Sequence, residues 1–233
     1  MNWSRPSGRS SIGIVAGIAA LAATAVLALT RNGSAGSAAL PLAPLSKAGR
    51  FQPSPAAGPL GPEGVPIPQA RALAPPGLLR NGQQIDGITC QASEQVLVHI
   101  HAHLTILIDG VPRQVPPGIG IAPPYGVEQT ASGAFIARAT CFMWLHTHSA
   151  DGIIHTESPI QQKYSLGDFF DIWGQPLSRH RVGPSHGHVT ALFDGRVFAG
   201  DPRQIPLLAH SQIQLEVGKP LLAPEHIAFP PGL

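Results

Sequence analysis

The stretch EQVLVHIHAHLTILIDG, residues 94–110, decides the fold. Val96, Val98, Ile100, Ala102, Leu104, Ile106 and Ile108 share one parity; Leu97, His99, His101, His103, Thr105 and Leu107 share the other. Side chains alternate between the two faces of a strand, so this pattern predicts a long β-strand with its aliphatic parity in the core. The three histidines of HIHAH then all point to the opposite face. Asp109-Gly110 predicts a hairpin turn into VPRQV.

A second histidine-rich stretch, AFIARATCFMWLHTHSADGIIHTESP (134–159), predicts a strand through His148, a turn at Ser149–Gly152 and a returning strand. A four-residue loop pairs Ile153 with His148, His155 with His146 and Glu157 with Trp144. Directly opposed residues sit about 4.5–5.5 Å apart on one face. On that register His146, His148, His155 and Glu157 share a side, and a one-residue slip would separate them. Asp151 reads as a turn residue.

Between and after these strands, PPGIGIAPPYG (116–126) reads as a loop. KYSLGDFFDIWG (163–174) predicts a short helix, with Ser165 and Asp168 as a capping box and Gly174 as its stop. HVTALFDG (188–195), RVFAG (196–200) and SQIQLEVG (211–218) supply further strands. The expected fold is α+β: a mainly antiparallel β domain, a small sandwich or β-grasp-like arrangement, with one short helix.

This domain is expected to span 85–233, enough for one proper core. Residues 31–84 read as a disordered Pro/Ala/Gly-rich linker, with ten prolines between Pro41 and Pro76. Ahead of it, Arg5 and Arg9 precede a run of about twenty apolar or small residues, 11–30, which matches a bilayer core. The expectation is a signal anchor with residues 1–10 cytoplasmic and the domain extracytoplasmic on a single-pass membrane tether. A cleaved signal peptide ending near SAGSAA (34–39) is the alternative. Only 12% of the 233 residues are charged and the net charge is +2, with no basic stripe, which argues against nucleic-acid binding.

The eleven histidines nearly equal the thirteen acidic residues. Imidazole is the commonest metal-ligand side chain and is uncharged when it binds. H-x-H on a strand puts two rings on one side, about 7 Å apart at Cα, within reach of one ion. The candidate ligands are His101, His103, His146, His148 and His155. His99, early in its strand, reads more simply as polar surface. Glu157 reads as a ligand, an orienter of a ligand or a general base. The set exceeds what one ion needs, leaving either one site with spectators or two neighbouring ions. HRVGPSHGH (180–188) adds His180, His186 and His188 in what reads as a solvated loop, with a flexible capture loop for metal as the alternative, and His210 and His226 stand alone.

Imidazole with carboxylate suits a divalent transition metal, Cu(II) or Zn(II), with copper slightly ahead for an extracytoplasmic site. Met1 and Met143 are the only methionines, which argues against a thioether Cu(I) site. Cys90 and Cys141, the only cysteines, are expected to form a disulfide in an oxidising compartment.

HIHAHLTILIDG, CFMWLHTHSADGIIHTESP, YSLGDFFDIWGQPLS and QIQLEVG together resemble a family of membrane-anchored, His-rich extracytoplasmic proteins of bacteria and archaea. The resemblance covers most of 88–218 and carries no catalytic assignment. An acidic residue often follows the H-T-H there; here it is Ser149. The functional expectation is a membrane-tethered protein that captures, buffers or delivers copper or zinc, with a membrane protein as acceptor of the metal. The alternatives are a metalloenzyme with Glu157 as general base, and a metal-free surface interaction domain.

Overall fold

The computed structural model describes residues 39–233, which form one compact unit. The expected membrane anchor at 11–30 lies outside the described residues. Among those described, no helix is long and apolar enough to cross a membrane. The fold is α+β and mainly β.

Its centre is an eight-stranded mixed sheet. In chain order the strands are β1 (Leu42–Ala43), β2 (Val98–Ile108), β3 (Val111–Arg113), β4 (Leu145–His146), β5 (Ile153–Ser158), β6 (Val189–Phe193), β7 (Arg196–Phe198) and β8 (Gln212–Val217). They lie side by side as β1-β7-β6-β8-β2-β5-β4, with β3 also paired to β2. Asp109-Gly110 (φ +51° and +74°) and Asp194-Gly195 (φ +47° and +72°) make the expected tight turns between β2 and β3 and between β6 and β7.

One central pairing departs from the antiparallel expectation. β8 runs parallel to β2, with Ile213 opposite Leu104 and Val217 opposite Ile108. A parallel neighbour needs a crossover connection, and α1 (Leu166–Trp173) lies in the chain that returns from β5. Alternation in each strand reports which face is apolar and carries no information on direction. The strand expected over 134–148 is also broken. Gly133–Arg138 leaves to pair with Gly126–Thr130, Cys141–Phe142 pairs with Ile121–Ala122, and only β4 joins the main sheet.

Ala102, Leu104, Ile106 and Ile108 enter the main core, where Leu166, Phe169, Phe170 and Trp173 of α1 also lie. The helix starts as its sequence dictates: Ser165 accepts from the Asp168 N–H, the Asp168 carboxylate accepts from the Ser165 N–H, and Gly174 closes it in a left-handed conformation. Cys90 and Cys141 are joined, with Cα atoms 5.4 Å apart, tying residues before β2 to the chain entering β4.

Residues 39–84 correct the linker expectation. They have little regular structure, as their prolines require, but they are packed. Val65 is fully buried, and Leu73 and Leu79 are buried in the core. β1 pairs with β7, and Phe51–Gln52 pairs with Leu221–Leu222. The composition argument counts only what the segment can bury against itself; here the sheet supplies the surface. Val65 packs with Ile153 and Ile227 on the histidine face of the sheet. That face is therefore covered as well. His101, His103, Thr105 and Leu107 are as buried as the aliphatic residues between them.

Candidate metal centre

Three strands bring the histidines together by register. His101 of β2 lies opposite His155 of β5, which lies opposite His146 of β4. His99 lies opposite Glu157. The four-residue turn thus pairs the strands as the sequence predicts, and the two histidine faces are one.

The rings of His146 and His148 are fixed by their Nδ1 atoms. A carbonyl oxygen can only accept, so His146 Nδ1–H donates to Met143 O (2.8 Å) and His148 Nδ1–H to Ile136 O (2.5 Å). Their Nε2 atoms then face each other 3.0 Å apart. In neutral rings both Nε2 atoms carry lone pairs, and two lone pairs at that distance call for a proton or a cation between them. Burial, followed by the charges of neighbouring histidines, pushes the His146 ring well below its usual range. Burial pushes His148 down to about 4. A shared proton is thus disfavoured, and a metal ion is the cation that suits neutral imidazole.

His155 is held from both sides. Its Nε2 lies 2.6 Å from Glu63 Oε1, and its Nδ1 lies 3.1 Å from His101 Nε2 and 3.5 Å from Glu157 Oε1. Burial alone would lower its pKa, but hydrogen bonds to Glu157 and Glu63 outweigh it and push it up to about 9. For His101, burial and the neighbouring His155 charge push the ring down to about 4. A carboxylate on the far nitrogen of a ligand histidine is the usual orienting arrangement. Glu63 also accepts from Ser149 Oγ (2.7 Å), which contacts the Asp151 carboxyl group too. Burial, then the Glu63 charge, pushes Asp151 up to about 7. Asp151 is therefore more than a turn residue: it closes a buried carboxyl pair with Glu63 beneath the histidines.

Glu157 is 4% exposed and touches both halves of the cluster. Its Oε1 lies 3.2 Å from His99 Nε2, and its Oε2 lies 3.9 Å from His146 Nε2 with no hydrogen-bond partner among the described residues. A buried carboxylate oxygen left unpaired is costly, and a cation there would satisfy it. Two overlapping groups have ligand atoms within 4.8 Å of one another: His99, His101, His155 and Glu157, and His146, His148, His155 and Glu157. The buried His/Glu groups are thus close enough to hold a metal ion.

Of the sequence candidates, His101, His146, His148 and His155 converge, and His99 and Glu157 join them. His103 does not. It shares the face, but its Nε2–H donates to Asp151 O (2.8 Å) and its Nδ1 lies 3.4 Å from Thr105 Oγ1, so it braces the turn. His180, His186 and His188 are exposed in and beside the strand pair Arg181–Val182 and Ser185–His186 and belong to neither group. His210 donates to Leu233 O and His226 accepts from Gln212. Sequence reading missed Glu63 and Glu94. Glu63 is the only acidic residue between positions 31 and 84, a signal hidden by assigning the segment to a linker. Glu94, whose Oε1 lies 3.5 Å from His148 Nε2, precedes the alternating run and stands outside its pattern.

Searches find no protein-family model that matches the chain, and no curated protein or solved structure matches it.

Proposed function

We propose that this is a membrane-tethered, extracytoplasmic protein that binds a divalent transition metal, Cu(II) or Zn(II), and captures, buffers or delivers it. The observation that carries metal binding is the pair of opposed Nε2 atoms of His146 and His148, beside the unpartnered Oε2 of Glu157. Neutral nitrogens held as acceptors by backbone carbonyls are ready ligands, so little ordering is needed on binding. The imidazole-rich set with few carboxylates favours Cu(II) or Zn(II) over hard cations. The Cys90–Cys141 disulfide supports an oxidising compartment, and the apolar run 11–30 supports a tether. A membrane protein is the acceptor we propose for the metal.

A metalloenzyme with Glu157 as general base is the less favoured reading, because both Glu157 oxygens face histidine nitrogens. A metal-free, histidine-lined interaction surface is disfavoured because those rings are buried. The test is metal titration of the chelator-stripped full chain. Tight Cu(II) or Zn(II) binding that a His146→Ala/His148→Ala double variant loses in whole or in part supports the reading. Equal, weak binding by both proteins overturns it.

A further inference from the structure

The two ligand groups share His155 and Glu157, and the atoms divide between them. With His155 Nε2 engaged by Glu63, only its Nδ1 is left to ligate, an ion there displacing that atom's proton, and it faces His101 Nε2 (3.1 Å) and Glu157 Oε1 (3.5 Å). His99 Nε2 lies 3.2 Å from the same Oε1. Two ligands each about 2.0–2.2 Å from one tetrahedral ion are about 3.4 Å apart, and these spacings match one four-ligand set. The other Glu157 oxygen belongs to a different set. Oε2 lies 3.9 Å from His146 Nε2, which is 3.0 Å from His148 Nε2, which is 3.5 Å from Glu94 Oε1. One carboxylate therefore presents each of its oxygens to a separate group of nitrogens.

We infer that the centre holds two divalent transition-metal ions bridged by the Glu157 carboxylate. One ion sits on His99, His101, His155 and Oε1; the second sits on His146, His148, Glu94 and Oε2. This rests on the metal-binding reading above. The bridge explains why a buried carboxylate lies between two histidine groups with one oxygen unpaired. Three carboxylates, those of Glu157, Glu94 and Glu63, offset three of the four positive charges of two dications. Glu94 and His99, each the most exposed member of its set, place the open side of both ions toward solvent.

The experiment is Cu(II) titration of the chelator-stripped full chain, followed by electron paramagnetic resonance. Two tight equivalents are expected. The ordinary Cu(II) signal should grow to one equivalent, then lose intensity as the second fills, with a half-field line from the coupled pair. Glu94→Gln and His99→Ala lie on the exposed rim, where folding is least at risk. Each should weaken one equivalent tenfold or more, leave the other, and abolish the half-field line. One tight equivalent with an isolated-ion spectrum overturns the bridged pair and leaves metal binding standing. No tight equivalent for Cu(II) or Zn(II) overturns both.

Discussion

His146 and His148 point their Nε2 atoms at each other across 3.0 Å, with each Nδ1 proton already committed to a backbone carbonyl. The folded chain itself holds this pair in place, so metal should stabilise the folded state by mass action. At a free metal concentration one hundred times Kd the gain is about 2.7 kcal/mol. We expect Cu(II) or Zn(II) to raise the thermal midpoint, excess chelator to reverse it, and His148→Ala to reduce the rise. An unchanged midpoint in wild type would count against the site.

Glu63 and Val65 make the same segment answerable for both site and fold. Glu63→Gln keeps the shape but weakens the orienting partner of His155, and metal affinity should fall about 10–100-fold. Val65→Ala removes fully buried apolar surface beside Ile153 and Ile227 and should cost about 2 kcal/mol in urea unfolding. A chain beginning at residue 82 should lose both properties. If that shortened chain binds metal as tightly as the whole, residues 39–81 are a spacer after all.

What the sequence made legible was what periodicity reports. Alternation placed HIHAH on one face, and the Ser149–Gly152 turn set His146 opposite His155. Periodicity does not report what covers a face. It left the histidine side without a cover, although Val65 and Ile227 pack on Ile153 there. His103 shows a second limit, since parity puts it beside His101 but only the course of the turn reveals that Asp151 O captures its ring. Glu63 and Glu94 come from irregular chain, where spacing carries no geometric meaning.

The metal-free protein should be most stable near pH 6.5. Burial pushes His103 from 6.5 to about 4, against the pull of its hydrogen bond to Asp151 O. Between those values the unfolded chain binds the proton and the folded one does not. Its contribution is therefore complete above pH 6.5 and is lost as pH falls toward 4, up to about 3 kcal/mol. Two groups act in the opposite direction: Asp151, pushed up to about 7, loses its contribution as pH rises from about 4 to 7 and so offsets part of the His103 term, and His155, pushed up to about 9, keeps its contribution below pH 6.5 and loses it as pH rises through 9. Urea midpoints at pH 4.5, 6.5 and 8.5 should form a peak, and His103→Gln should make the acid-side fall shallower, with His101 and His148, also pushed down to about 4, supplying the rest, and leave the alkaline side unchanged. A midpoint constant from pH 6.5 to 4.5 would contradict the buried neutral state of His103.

Gly152 and Gly195 form a matched pair that separates backbone strain from site geometry. Both lie in the left-handed region, at φ +87° and +72°. A Cβ at Gly195 meets nothing within 4 Å among the described residues, so Gly195→Ala should cost about 1 kcal/mol, the backbone term alone. A Cβ at Gly152 would lie 2.6 Å from Leu104 O and 2.9 Å from His103 Nε2. Neither can yield cheaply, because Leu104 O belongs to the central strand and His103 is tied to Asp151 O. Gly152→Ala should therefore displace the turn that sets His146 opposite His155, costing about 2–4 kcal/mol and weakening metal binding at least tenfold. Gly195→Ala should leave metal affinity unchanged. Equal metal affinities in the two variants would mean that the register of β4 on β5 does not govern the site.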